Sequence, residues 1–335
     1  MYTAGSTQAN SGPRILVVRL GAMGDVLHAL PAVATLKHGF PNSRLSWVIA
    51  PKWAPLIEGN PFVDEAILFE RKTFSGLVSA WRELRHRRFD LAVDFQGLVK
   101  SAIVASVARP DRIYGFHQSL LRERVAALFY SNRVLAQAPH VVDRNLELAS
   151  AAGASSIVSA FPVPDGTTEG ELPEGGFVLA NPLAGWPGKQ WPLDYYSTLA
   201  GLLRRDLDLP LVLNGPPQAA GTLAQVAGPV VHLSGISGLI HATRRALAVI
   251  GIDSGPMHLA AALQKPGVAI FGPTDPSRNG PYGSSFTVLR DPAATTSYKR
   301  KKEPHPAMGR ISPDDVLAAL RERLSVSQCQ AGSAR

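Results

Sequence analysis

The sequence predicts an α/β protein built from two doubly wound, Rossmann-like domains. Three observations carry that expectation. The 335 residues exceed the roughly 100 to 200 of a single domain. Short apolar, β-branched runs alternate with helical stretches along the whole chain, and such alternation requires parallel strands joined by crossover helices. Finally, the stretch "SSIVSAFPVPDGTTEGELPEGG" at 155–176 is rich in Pro, Gly and Glu, lacks periodicity and separates two such series.

The elements follow in order. "MYTAGSTQANSGP" at 1–13 has no apolar core and is expected as a disordered lead-in, not a signal peptide. The N-terminal domain is placed at 14–155, with "RILVVR", "RLSWVIA", "EAILFE", "FDLAVDF" and "RIYGF" as strands. A linker at 156–176 leads into the C-terminal domain at 177–325, whose strands are "FVLANP", "PLVLNGP", "VVHLSG", "LAVIGIDSG" and "GVAIFGP". Near its end, "ISPDDVLAALRERL" predicts a helix with Ser312 as N-cap, Pro313 at the first helical position and acids in the first turn. A polar tail at 326–335 closes the chain.

Composition narrows the partners. A hydrophobic content of 45%, a charged content of 18% and a mean hydropathy of +0.04 describe a globular protein. No apolar run approaches the roughly 20 residues of a bilayer span, and the single cysteine, Cys329, sits in the tail, so a reducing, cytoplasmic setting is expected. The net charge of +8 favours anionic ligands. Zinc-type Cys/His spacing, an RNP-like motif and a long basic helix are all lacking, so nucleic acid is not expected.

"RLGAMGDVLHALPAV", Arg19 to Val33, is a strand-to-helix turn that fails the dinucleotide test, and a second stretch fails that of a P-loop. Dinucleotide binding needs G-x-G-x-x-G and an acid about 20 residues later. Only Gly21 and Gly24 are present, and the second strand ends "WVIAPKW" without a carboxylate. "LAGWPGKQW" has Gly188-Lys189 but lacks the first glycine and the Ser/Thr of a P-loop. What remains is Asp25 near a helix N-terminus, where it serves either as a cap or in chemistry. His28, on the same helical side, is either packed or functional, and Pro31 either kinks the helix or restarts it.

The second half offers an anion site. In "IGIDSGPMHLAAALQKP", Asp253 ends a buried strand, Ser254 and Gly255 turn, Pro256 suits the first helical position and His258 falls in the first turn. Free N–H groups and the positive helix end there point at an anion such as phosphate, although an internally satisfied turn is the competing reading. In "NPLAGWPGKQWP", Lys189 precedes a helix starting near Asp194 and is placed to neutralise a leaving diphosphate. "LVLNGPP" puts Asn214 and Gly215 on a further wall suited to adenine or ribose, and "FGPTDP" is expected to be structural.

Taken together, "VVRLGAMGDVLHALPAV", "DFQGLVKSA", "ARPDRIYGF", "GKQWP", "IDSGPMHLAAAL" and "VAIFGPTDPSRNGPYG" resemble glycosyltransferase family 9, the bacterial lipopolysaccharide heptosyltransferases. The resemblance runs from about Arg14 to Leu324, and is nearest to the subgroup that acts on Kdo of the inner core. It implies a GT-B fold, two Rossmann-like domains facing a central cleft. The first would bind the acceptor and the second the ADP-sugar, with the last helix packing back on the first. It also implies an inverting transfer of L-glycero-D-manno-heptose from ADP-heptose to Kdo-lipid A, with release of ADP. On matching positions, Asp25 would be the general base, and Lys189 would support the diphosphate. Asn214, Gly215, Asp253, Ser254, Gly255, Pro256 and His258 would contact the donor. Gly24, His28, Gln96, Arg122, Arg124 and Arg144 would face the acceptor.

Inversion needs one carboxylate to take the acceptor proton, and a lysine with a helix N-terminus can hold the leaving group. No tightly bound cofactor and no divalent cation is therefore expected. A polyanionic acceptor also gives the basic residues Arg71, Lys72, Arg85, His86, Arg87, Arg88 and His140 a purpose, and "YKRKK" at 298–302 is a candidate for anionic lipid. Peripheral contact with the cytoplasmic membrane face and a monomer are the expected state. Other readings are a family member with another donor or acceptor, a GT-B nucleotide-sugar epimerase or hydrolase, and a non-catalytic nucleotide-sugar-binding module.

Overall fold

The computed structural model describes residues 12–70, 73–297 and 303–333. Arg71, Lys72, the 298–302 run and most of the 1–13 lead-in lie outside them. The chain divides into two compact units, and not at a single cut. Residues 1–21, 29–138 and 143–160 form one, while 22–28, 139–142 and 161–335 form the other. The start of the first helix is thus grouped with the second unit, where the sequence placed it in the first.

In the first unit the strands are β1 (Arg14–Val18), β2 (Arg44–Ile49), β3 (Glu65–Leu68), β4 (Leu91–Asp94), β5 (Arg112–Phe116) and β6 (Asn132–Val134). They pair in parallel in the order β3-β2-β1-β4-β5-β6. Its helices are α2 (Phe74–His86), α3 (Val99–Val107) and most of α1 (Met23–Gly39) and α4 (Val141–Ala151), whose first residues are grouped with the second unit. The two central strands explain the near-continuous apolar runs of the sequence. Ile15 to Val18 of β1 are fully buried, because a parallel strand is covered on both faces. α1 runs unbroken through Pro31, held by the burial of Val26, Leu27, Leu30, Val33 and Leu36.

The second unit repeats the plan with β7 (Val178–Asn181), β8 (Leu211–Gly215), β9 (Val230–Leu233), β10 (Ala248–Ile252), β11 (Gly267–Phe271) and β12 (Phe286–Arg290). Their order is β12-β11-β10-β7-β8-β9, again all parallel. Read from the other edge, this is the same doubly wound 3-2-1-4-5-6 order as the first sheet. In each unit the order reverses between the first and fourth strands, and ligands of such sheets bind at the carboxyl ends flanking that point.

The helices here are α5 (Leu193–Leu207), α6 (Ala220–Leu223), α7 (Ile236–Arg245), α8 (Gly255–Ala262), α9 (Pro276–Asn279), α10 (Pro306–Gly309) and α11 (Pro313–Ser333). Ser312 caps α11 as expected. Its Oγ accepts from Asp315 N at 3.2 Å while Asp315 Oδ2 accepts from Ser312 N at 2.9 Å. The helix then continues to Ser333, through most of the stretch expected to be a polar tail.

All ten expected strands form; β6 and β12 were not expected. Both are edge strands, as β3 and β9 are, but β6 is only three residues long with a single apolar one, and the apolar run of β12 is interrupted by Thr287.

Candidate functional site

The site is built at the carboxyl ends of β7 and β10 in the second unit. Asp253 follows β10 and is 6% exposed, because small residues crowd the turn and α8 starts two residues later. Ser254 is the N-cap of α8 and Gly255 its first residue. Pro256 therefore stands at the second helical position, not the first as expected. That position suits it equally, since an N–H in the first turn has no intrahelical acceptor.

Lys189 arrives on the loop after β7. There "PGK" makes one 3-10 turn before Pro192 precedes α5, whose start at Leu193 agrees with the expected helix. Its Nζ lies 2.5 Å from Asp253 Oδ2 and 5.1 Å from the centre of the Trp186 ring. The same carboxylate oxygen accepts from Thr274 Oγ1 at 2.6 Å, and its other oxygen is 3.7 Å from His258 Nε2. Burial opposes ionisation of Asp253, but His258 and Lys189 beside it outweigh burial and hold the carboxyl at about 2.

Residues 22–28 complete this cluster. Gly24 sits against His258 so closely that a Cβ there would stand 2.6 Å from the ring's Cδ2. His28, 3% exposed, brings its Nε2 to 3.1 Å from His258 Nδ1. Asp25 lies in the first turn of α1, between them in sequence. Its Oδ2 accepts from Ala22 N at 3.1 Å, so it does cap the helix. His140 adds a third ring, 5.8 Å from His28, and its Nε2 is 3.2 Å from Gly280 O.

Two buried donors here, Ser254 Oγ and Trp186 Nε1, meet no hydrogen-bond partner among the described residues.

Asn214, read from the sequence as a donor contact, is hydrogen-bonded within the fold. Its Oδ1 accepts from Asn181 Nδ2 at 2.9 Å, and its Nδ2 donates to Ser234 Oγ at 2.7 Å and faces His232 O at 3.2 Å. A buried amide needs such partners, and the neighbouring strands supply them. Gly215 ends β8, where its carbonyl accepts from Ser234 N at 3.1 Å.

In the first unit, the expected acceptor-side residues stand on the segment after β4, the stretch before β6 and α4. Gln96 follows β4, and its Oε1 accepts from Leu20 N at 2.9 Å, fixing the exit of β1. Arg122 and Arg124 are exposed, while Arg144 Nε donates to Ala138 O at 2.6 Å. Arg87 is held by Glu65 and Glu83.

Sequence reasoning missed Trp186 and Thr274 in this cluster and, in the first unit, the buried Asp94. Asp94 ends β4, fully buried, and accepts from Tyr130 Oη at 2.7 Å, Ser101 Oγ at 2.8 Å and Gln96 N at 2.8 Å. Burial pushes its carboxyl up, and these hydrogen bonds oppose that rise. The aspartate in "DFQG" was the visible signal. Trp186 and Thr274 carried none, because each matters only through what the fold sets beside it.

Among the described residues, no group of three or more His, Cys, Asp or Glu is arranged to hold a metal ion. Nor is any helix among them long and apolar enough to cross a membrane.

Two parallel sheets of identical order, with charged and polar groups clustered at a switch point, are the ingredients of a GT-B glycosyltransferase. Residues 77–307 match glycosyltransferase family 9 (heptosyltransferase). Lipopolysaccharide heptosyltransferase 1 of Escherichia coli K12 is 30% identical, the alignment covering 83% of this chain and 94% of that one. The protein of the same name from Pseudomonas aeruginosa is 28% identical, covering 82% of this chain and 83% of that one. Among solved structures, E. coli heptosyltransferase WaaC with ADP superposes with a TM-score of 0.73 at 25% identity, covering 92% of this chain and 99% of that one. The chain belongs to glycosyltransferase family 9 and is a glycosyltransferase.

Proposed function

We propose that this chain transfers L-glycero-D-manno-heptose from ADP-heptose to Kdo of the lipopolysaccharide inner core, with inversion, releasing ADP. The names of its relatives and their coverage support the reaction. WaaC has also been solved with ADP-2-deoxy-2-fluoro heptose, which supports an ADP-linked donor. One observation carries the reading for this chain's own residues: Lys189, Asp253, Ser254 and His258 converge at the amino end of α8, within the unit that also holds Asp25.

In this reading the diphosphate meets the ammonium of Lys189, the first N–H groups of α8, and the buried Ser254 Oγ and Trp186 Nε1. Each is a donor, as a leaving anion requires. The lysine has three N–H groups, of which Asp253 engages one, so the carboxylate aims the cation without consuming it. Asp25 takes the proton of the Kdo hydroxyl as its oxygen bonds to the anomeric carbon. The bond from that carbon to the diphosphate oxygen breaks on the opposite face, and the electron pair leaves with ADP. One carboxylate suffices, since inversion forms no covalent sugar–enzyme intermediate.

The donor falls to the second unit and the acceptor to Gly24, His28, Gln96, Arg122, Arg124 and Arg144. Asn214 would then shape its region by holding strand ends together, not by binding. No divalent cation takes part in this scheme. The enzyme works as a monomer on the cytoplasmic face of the membrane that carries its acceptor.

The test is incubation of ADP-heptose with Kdo-lipid A, Kdo-free lipid A and heptosylated core, following ADP release. Release with Kdo-lipid A alone is the expected result. Equal release without any acceptor would replace this reading with hydrolysis, and release only with heptosylated core would reassign the acceptor.

A further inference from the structure

The first unit carries an apolar groove that the proposed chemistry does not use. Phe69 beyond β3, Leu77, Trp81 and Leu84 of α2, and Ile103 and Val107 of α3 line a volume of about 380 Å³, with Lys100 at its edge. Its rim is wet. Trp81 is 49% exposed, Ile103 45% and Leu77 39%, so three large apolar side chains of two adjacent helices face solvent together. Single exposed apolar residues are ordinary, but a contiguous set flanking a groove marks a contact surface.

The surrounding charge selects the occupant. Arg82, Arg85, Arg88 and Lys100 are all exposed around the two helices, and the Arg85 guanidinium stands 5.2 Å from the centre of the Trp81 ring. Glu83, the acid on α2, is tied to Arg87 at 2.7 Å. A tryptophan with an arginine on its face, beside aliphatic side chains and ringed by cations, suits a boundary between acyl chains and anionic headgroups. A second copy of this face would bring like charges together.

We propose that the α2–α3 face docks this chain on an anionic lipid bilayer. Trp81, Leu77 and Ile103 enter the boundary between headgroups and acyl chains, while Arg82, Arg85, Arg88 and Lys100 meet headgroup phosphates. This deepens the membrane-face reading given above and rests on it, but it does not depend on the identity of the sugar donor.

Flotation of the full chain with vesicles of phosphatidylglycerol and phosphatidylethanolamine, compared with phosphatidylcholine vesicles, tests it. The wild type is expected to float with the anionic vesicles, less at high salt, and at least about tenfold more weakly with phosphatidylcholine. Trp81→Ser with Ile103→Ser, and separately Arg82→Glu with Lys100→Glu, should each weaken binding by about tenfold. Both pairs alter exposed side chains, so the thermal midpoint should hold, and the Trp81/Ile103 pair should keep its turnover on a soluble Kdo acceptor. Variants that float like the wild type would overturn this surface and leave the membrane-face reading standing. A wild type that ignores anionic vesicles would overturn both. A wild-type dimer that the Trp81/Ile103 pair converts to monomer, with vesicle binding unchanged, would assign the groove to a second copy and also overturn the proposal.

Discussion

Lys189 Nζ stands 2.5 Å from Asp253 Oδ2, the cation brought by the loop after β7 and the carboxylate by the end of β10. Because Thr274 and His258 flank the same carboxyl group, the lysine is aimed rather than free to swing. Replacing Lys189 with Met keeps most of the aliphatic stem but removes the charge that meets the departing diphosphate. Turnover should fall by about 10² to 10³-fold, read as ADP release at saturating donor. A variant within twofold of the wild type would remove Lys189 from the mechanism.

The same carboxylate sets an acid dependence of stability. Asp253 ionises at about 2 in the folded chain against an ordinary 3.8, so the unfolded chain binds the proton more tightly. Its stabilisation is fully present above the ordinary value and is lost as pH falls through about 4 toward about 2. The difference amounts to roughly 2 kcal/mol. Asp94 works in the opposite direction, its raised value relieving a burial penalty as acid is added. The informative quantity is therefore the gap between wild type and Asp253→Asn in urea unfolding. That gap should narrow on acidification, and a constant gap would contradict the assignment.

Asp25→Asn separates capping from chemistry. The amide oxygen still accepts from Ala22 N–H, so the helix start should be retained, within about 1 kcal/mol. The amide cannot take a proton. Transfer should drop by about 10³-fold while calorimetry shows donor affinity changed by less than about threefold. Loss of donor binding in parallel would mean that Asp25 shapes the donor pocket instead.

Gly24→Ala tests the close approach of α1 to His258. The added methyl would lie 2.6 Å from the ring, which is 7% exposed and has His28 on its other nitrogen. Overpacking of this kind costs about 1 to 3 kcal/mol. Both the thermal midpoint and kcat should fall, since the displaced ring is the one beside Asp253. An unchanged midpoint would show that the turn yields freely.

Tyr196 gives a prediction of opposite sign. It is fully buried in the core of the second unit, its hydroxyl meets no partner among the described residues, and burial pushes its ionisation far up. Tyr196→Phe removes an unsatisfied buried hydroxyl and should raise stability by about 1 kcal/mol in chemical denaturation. Destabilisation would reveal a partner for the hydroxyl.

Much of this protein was legible locally. Apolar runs buried on both faces identified the central strands, while β6, three residues long, and β12, interrupted by Thr287, carried a weaker mark. Ser312 with Pro313 and Asp315 announced a helix start. "IDSGPMH" announced a helix start, with Pro256 misplaced by one position. At Asn214 the sequence shows a polar side chain at a strand end but not the hydrogen bonds it makes to Asn181 and Ser234 on neighbouring segments.

The sequence by itself determined the alternation of strand and helix, the glycines and caps of the turns, and hence two doubly wound units. Those features depend on residues within a few positions of one another. Only the tertiary structure decided that Lys189 and Thr274 share one oxygen of Asp253 and that His28 of α1 meets His258 of α8. Sheet order, set by packing among distant strands, determines which strand ends lie side by side. Groups carried on separate loops become one site only when that order is established.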